Sequence, residues 1–356
     1  MTIKQHSTSN ELPHHGGKLI EFSLRYQRPI EQWVDLSTGV SPHHYPIPEI
    51  PASVWNRLPE DDDGLITAAQ TYYQSDALLP VAGSQAAIQS LPHMIAKTQP
   101  TLMHILLPHT GYKEHQHAWQ QYAEQSIQAV IFDFYRHKPT VEQLKTADVV
   151  VVINPNNPTA LNVPPSEVLT WLDHIQDHST IVIDEAFVDC TPELSVLPSF
   201  PTGVPDNLIV LRSVGKFFGL AGIRAGFCFA SPLCLNILKQ HLGPWTLSGP
   251  TRYVTTHALL NSHWQKENRQ RLHEEAQRMN QLLQLHFGQM AGSVKITSQI
   301  LFHRVEISDS ASWHHQLAKL GVFTRHCDEN DALRFGLPAN ESQWQALTRA
   351  LEQLKE

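Results

Sequence analysis

A series of short apolar runs constrains the fold of this chain more than any other feature. "HILLP" begins at residue 104, "QAVIFDF" at 128, "DVVVVINP" at 148, "TIVIDEAF" at 180 and "NLIVLRSV" at 207. They are too short for helices and rich in β-branched residues, so they read as strands. A strand with one face in water alternates apolar and polar positions; nearly continuous apolar runs are covered on both faces, as in parallel sheets. Amphipathic segments such as "YKEHQHAWQQYAEQ", "TVEQLKTA" and "PSEVLTWLDHIQDH" separate them. Strand-helix alternation of this kind predicts a three-layer αβα domain around a mainly parallel sheet, here over residues 50–249.

After "GPWTLSGP" the pattern changes. A long helical stretch, "TRYVTTHALLNSHWQKENRQRLHEEAQRMNQLLQLHF", leads into strand, helix, strand and helix candidates. This predicts a smaller α/β C-terminal domain over 250–356. Residues 1–49 are rich in Pro, His and Gly and lack periodicity. They read as an N-terminal arm that contributes to the small domain and the active site.

Several function classes are excluded early. The formal net charge of −8 gives no electrostatic case for nucleic acid. No run approaches a membrane span, and the polar start is unlike a signal peptide. Cys190, Cys228, Cys234 and Cys327 are scattered, with no CxxC pair, so neither a disulfide framework nor a zinc site is implied and a cytoplasmic location is expected. Histidine is abundant at 22 residues. The pairs His14-His15, His43-His44 and His314-His315 lack the HExxH spacing of a metal site, and no metal is expected.

In an open α/β sheet, ligands bind beyond the carboxyl ends of the strands. "LLPVA" is followed there by Gly83, Ser84 and Gln85 at a helix start, where free N–H groups and the dipole suit an anion. The other runs are followed by "NPNNP" (154–158), by Asp184-Glu185 and by "RSVGK", ending at Lys216. Singly, each has a structural explanation: a helix cap, a turn, a solvated loop or Mg²⁺ ligand, and a snorkelling lysine. Together, in chain order and at strand ends, they supply an anion cradle, an amide, a carboxylate and a lysine. Pyridoxal 5'-phosphate uses all four: a lysine for its aldehyde, a carboxylate for its ring nitrogen, a donor for its phenolic oxygen and N–H groups for its phosphate.

"NPNNPT", "IVIDEAF" and "SVGKFFGLAGIRAGF" resemble the signature of fold type I pyridoxal-phosphate enzymes, the aspartate aminotransferase superfamily. The resemblance covers essentially the whole chain. It is nearest to the threonine-phosphate decarboxylases of cobalamin synthesis and the histidinol-phosphate aminotransferases. It implies that Lys216 forms the Schiff base, Asp184 pairs with the ring nitrogen and Asn157 bonds the phenolic oxygen. Ser84, Gln85, Ser213 and Arg224 would hold the cofactor phosphate, and Tyr112 would stack on the ring. Arg334 would grip the substrate carboxylate, a task suited to a guanidinium fork, and Arg325 would read a substrate phosphate. A homodimer is expected on the same basis.

Three departures favour the lyase. "HHGGKLIEF" followed by "WVDLSTGVSP" resembles the decarboxylases, placing His15 at the substrate phosphate and Gly39 at the carboxylate site. Phe187 stands where aminotransferases usually carry Tyr. Leu58 stands where many relatives have a Tyr that reaches the neighbouring subunit's cofactor phosphate, so that contact is left open. The expected activity is decarboxylation of L-threonine O-3-phosphate to (R)-1-aminopropan-2-ol O-phosphate. The alternatives are an aminotransferase of the histidinol-phosphate type and a non-catalytic scaffold of the same fold.

Overall fold

The computed structural model describes residues 15–98, 102–288, 290 and 294–354. His14 and the residues before it lie outside this range, so the described part of the His-Gly-Gly opening begins at His15. One two-residue strand, β1 (Val34–Asp35), lies in the arm. Seven more build the main sheet: β2 (Leu78–Val81), β3 (Leu102–Pro108), β4 (Ala129–Tyr135), β5 (Val149–Ile153), β6 (Thr180–Asp184), β7 (Leu208–Ser213) and β8 (Gly226–Phe229). Their spatial order is β2-β8-β7-β6-β5-β3-β4. Pairing is parallel from β7 through β4, and β8 runs antiparallel to both neighbours.

The reason for the continuous apolar runs is visible in the packing. Val149 and Val151 of β5 join one core with Ile88 and Leu91 of the helix Ser84–Ile95. Val150 and Val152 face the other core with Trp171. Successive side chains point to opposite faces, and both faces are covered. At the sheet edge, β4 has several exposed positions.

The second sheet starts with β9 (Lys295–Gln299) and β10 (Phe302–Glu306). Next come β11 (Val322–Phe323), β12 (Arg325–His326) and β13 (Ala332–Phe335). Four of them form an antiparallel sheet ordered β12-β13-β10-β9. The fifth, β11, pairs in parallel with β1, Val34 opposite Val322. Phe22, in the helix Leu19–Arg25, stacks on Phe323 with ring centroids 3.9 Å apart. The arm then runs along the lysine segment: Ser41 N–H donates to Lys216 O at 2.9 Å and Tyr45 N–H to Phe218 O at 2.8 Å.

Several local expectations are revised. "SVKITSQILFHRVEI" is a hairpin rather than one strand. The long helical stretch is two helices, Gly249–Leu260 and Ser262–Phe287, separated by Asn261, whose side chain accepts from Trp264 N–H and caps the second. "GFCF" is a buried strand hidden from sequence reading by its glycine-rich surroundings. In the acidic run at 60–63, Asp63 accepts from both Nε and Nη2 of buried Arg252, at 2.6 and 2.7 Å. Among the described residues, no helix is long and apolar enough to cross a membrane.

Candidate active site

Seven of the predicted site residues line one pocket, and Ser84, Gln85, Asp184, Ser213 and Arg224 lie outside its lining. Lys216 lines a cavity of about 290 Å³ together with His15, Gly39, Tyr112, Asn157, Arg325 and Arg334. Lys113, Asp328 and Glu329 stand in the same wall. A larger recess of about 390 Å³, lined by Trp33, Asp35 and Leu337 among others, carries none of the predicted site residues.

Lys216 keeps one face on the pocket and is otherwise enclosed. Burial, reinforced by the nearby Arg334 and Arg224 charges and opposed by Asp184, pulls its ammonium down to about 8. Its Nζ lies 5.3 Å from the Phe187 ring centroid. That ring is buried and meets Gly39: a Cβ on Gly39 would come within 2.8 Å of Phe187 Cε1. Arg334 donates from Nη1 to Asn157 Oδ1 and from Nη2 to Ser37 O, each at 2.6 Å. Burial lowers its guanidinium to about 10, and its Nε has no partner among the described residues.

Asp184 ends β6, and its carboxylate is held from two sides. His115 Nε2 lies 3.0 Å from Oδ2 and Ala186 N–H donates to Oδ1 at 3.0 Å. His115 is buried too. Behind it, Glu185 is fully buried against Arg212 at 3.1 Å, and Arg212 also pairs with Asp189. Glu185 is therefore neither a solvated loop residue nor part of a metal site. Among the described residues, no group of three or more His, Cys, Asp or Glu is placed to hold a metal ion.

At the far end, Gly83 adopts φ 72°, a left-handed conformation, at the start of the helix Ser84–Ile95. A Cβ there would lie 2.7 Å from Arg224 Nη2. Gly226, opposite Ser213 in the β7–β8 pair, lets that strand approach Ser84 N; its Cβ would stand 2.8 Å away. Ser84, Ser213 and Arg224 thus surround one helix N-terminus. Gln85 faces elsewhere: Tyr112 donates to its Oε1 at 3.0 Å, and its Nε2 donates to Glu114 Oε2 at 2.5 Å. Glu114 Oε1 is 2.7 Å from His15 Nε2. Its hydrogen bond with His15 holds the Glu114 carboxyl below the usual range despite burial. Leu58 is 63% exposed and lies outside the pocket lining.

The family model described as aminotransferase class I and II matches residues 63–349. The chain is 42% identical to a threonine-phosphate decarboxylase of Pseudomonas aeruginosa over 96% of its own length and 98% of that protein. The chain belongs to the aminotransferase class I and II family. Solved relatives agree on the fold. A histidinol-phosphate aminotransferase from Sinorhizobium meliloti, in complex with pyridoxal-5'-phosphate, matches with TM-score 0.77 at 15% identity, covering 99% of each chain. An L-threonine-O-3-phosphate decarboxylase from Porphyromonas gingivalis matches with TM-score 0.70 at 19% identity, covering 90% of this chain and 99% of that one.

For a chain of this aminotransferase family, sequence reasoning passed over His115, Glu114, Lys113 and Glu329. The first three follow Tyr112 closely, and a reading of what succeeds each strand could have reached them after "HILLP". The "HQHAW" sequence gave no spacing to separate His115 from the solvated histidines around it. Glu329 could not be paired with Lys113 without the tertiary fold.

Proposed function

We propose that the protein is a pyridoxal-phosphate-dependent carboxy-lyase that converts L-threonine O-3-phosphate to (R)-1-aminopropan-2-ol O-phosphate in cobalamin biosynthesis. The observation that carries this reading is the 42% identity to the Pseudomonas aeruginosa decarboxylase over nearly the full length of both chains.

The residues fit the cofactor. The Gly83 cradle leaves room where a Cβ would meet Arg224, and donors at that helix start suit a phosphate. When bound, the cofactor supplies an aldehyde for Lys216 and a conjugated ring that accepts the electrons of the breaking bond. Ser84, Ser213 and Arg224 would hold its phosphate, with the Gln85 backbone N–H, not its side chain, contributing from the same helix start. Asp184, oriented by His115, keeps a proton at the ring nitrogen. Asn157, whose Oδ1 is on Arg334, would offer its amide N–H to the phenolic oxygen. Phe187 has no hydroxyl to share that task. Tyr112, anchored through Gln85, would pack against the cofactor ring.

Arg334 grips the substrate carboxylate beside Gly39, and Arg325 with His15 holds the substrate phosphate. The carboxylate leaves as CO₂, and Lys216 returns one proton to Cα. A lysine poised near 8 moves protons in both directions near neutrality. Gly39 and Phe187 keep the wall beside the lysine apolar and exclude water.

A homodimer accords with the exposure of Trp55, Leu58 and Trp245, 65%, 63% and 59% respectively. Light scattering on the purified protein reads this directly.

The deciding experiment is incubation of the cofactor-loaded protein with O-phospho-L-threonine, with CO₂ release followed. Stoichiometric CO₂ and the amino alcohol phosphate support the lyase. Amino-group exchange with 2-oxoglutarate without CO₂ overturns it.

A further inference from the structure

The turn between β12 and β13 brings two carboxylates into the wall of the pocket. Asp328 Oδ1 accepts from Arg325 Nη2 at 2.7 Å. Glu329 Oε1 lies 3.0 Å from Lys113 Nζ, which also donates to His109 O at 2.8 Å. All four side chains line the cavity that holds Lys216 and Arg334. Asn330, in the left-handed region at φ 57°, closes the turn.

These carboxylates oppose the function proposed for the pocket. A substrate bearing a carboxylate and a phosphate is drawn by positive charge, and two acids in the same wall repel it. Yet each acid sits on a cation of that wall. A carboxylate offers two acceptor oxygens and one charge. A phosphate monoester offers three strong acceptor oxygens and nearly two charges, enough to take both cations at once. The Lys113–Glu329 side chains are 25% and 15% exposed, and Glu329 Oε1 is itself shielded from solvent and makes no hydrogen bond among the described residues, so the pair is poorly satisfied and opens once the carboxylate turns to the pocket mouth.

We infer that Lys113 is a further ligand of the substrate phosphate, and that Asp328 and Glu329 are internal counter-anions which the phosphate displaces from Arg325 and Lys113. This rests on the reading of the substrate as a phosphorylated amino acid. The acidic turn then acts as a specificity filter. A dianion replaces both carboxylates, whereas an unphosphorylated amino acid, with a neutral hydroxyl in that position, replaces neither.

The test uses the cofactor-loaded enzyme, with inorganic phosphate as the equilibrium probe by calorimetry and O-phospho-L-threonine as the kinetic one. Glu329→Gln binds phosphate about three- to tenfold more tightly, as expected on removing a partly exposed competing charge. KM for O-phospho-L-threonine falls in parallel, with kcat within about twofold. Asp328→Asn gives the same direction and serves if the first variant folds poorly. Lys113→Met weakens phosphate binding and cancels the gain of Glu329→Gln in the double variant. A merely bracing ion pair gives the opposite sign: Glu329→Gln and Asp328→Asn then weaken phosphate binding or leave it unchanged, which overturns the inference. The calorimetric titration does not depend on turnover. The predicted binding pattern without CO₂ release refutes the decarboxylase and not the filter; CO₂ release without the pattern refutes the filter alone.

Discussion

Arg334 and Asn157 share a 2.6 Å hydrogen bond that links the β12–β13 hairpin to the loop after β5. The same guanidinium reaches Ser37 O in the arm. Three separate parts of the chain thus set its angle, and its Nε is left without a protein partner among the described residues. Lysine in this place keeps a charge but loses the fork. Arg334→Lys lowers kcat/KM for O-phospho-L-threonine about 100-fold, mostly through KM, on the scale of losing a buried charged contact. Steady-state CO₂ release measures this; a variant within threefold of the parent contradicts it.

Lys216 sets a pH dependence for cofactor capture. The folded protein lowers its pKa from the ordinary lysine value to about 8, and only the neutral amine attacks an aldehyde. The neutral fraction rises with pH through that value. The rate at which apoprotein develops the visible absorbance of a Schiff base therefore increases from pH 6.5 to 9, with its midpoint near 8. Lys216→Ala shows no such absorbance at any pH. A midpoint above about 10, the ordinary lysine range, removes the premise.

Gly39 is fixed by the ring beside it. An added Cβ 2.8 Å from Phe187 Cε1 forces one of them to shift. Gly39→Ala destabilises by about 1–3 kcal/mol and lowers kcat by moving the wall next to Lys216. Pairing it with Phe187→Leu restores part of the lost Tm, since the two sites are coupled through contact. Thermal unfolding of the two single variants and the double one reads the coupling, and strict additivity refutes it.

His115 and Asp184 form a buried pair at 3.0 Å. His115→Phe leaves Asp184 Oδ2 without that partner, at a penalty of about 1–3 kcal/mol. The expected outcome is faster loss of cofactor on dialysis and about tenfold lower kcat. His115→Gln recovers part of both, because an amide still donates. Equal defects in the two variants count against a positioning role.

Arg212 holds Glu185, Ser195 and Asp189 in a place no solvent reaches. Removing the cation strands two buried carboxylates, so Arg212→Leu costs about 3–5 kcal/mol. Differential scanning calorimetry shows the loss as a lowered Tm, and a variant of parental Tm contradicts the assignment.

What sequence reading reached and missed has a physical pattern. The strand ends at Asp184 and Ser213, and the turn that carries Lys216, were legible because a buried parallel sheet needs continuous apolar runs whose termination marks where side chains leave the core. Arg224 came from the resemblance carried by "SVGKFFGLAGIRAGF", and the structure sets it against Gly83. His115 was not, because its partner Asp184 is reached only across the sheet and nothing in "HQHAW" marks one histidine above the other. Gln85 was read as a phosphate group, but its side chain faces Tyr112 and Glu114, a direction that depends on how the next strand's loop packs. The break at Asn261 escaped because helical periodicity resumes at once on its far side. The antiparallel β8 escaped because glycines there serve close packing, which reads locally as a loop.

The pairing of Val34 with Val322 carries a consequence for synthesis. The arm leaves the ribosome well ahead of its strand partner. At roughly 5–20 residues per second, the interval is on the order of 15 to 60 s. Throughout that time Val34 and Asp35 have no strand to join, although Ser41 and Tyr45 can already bond the Lys216 segment. A nascent chain halted before β11 then carries an unpaired β1, with Ser37 unable to present its carbonyl to an Arg334 not yet made. Completion of the pocket therefore waits on translation through β13.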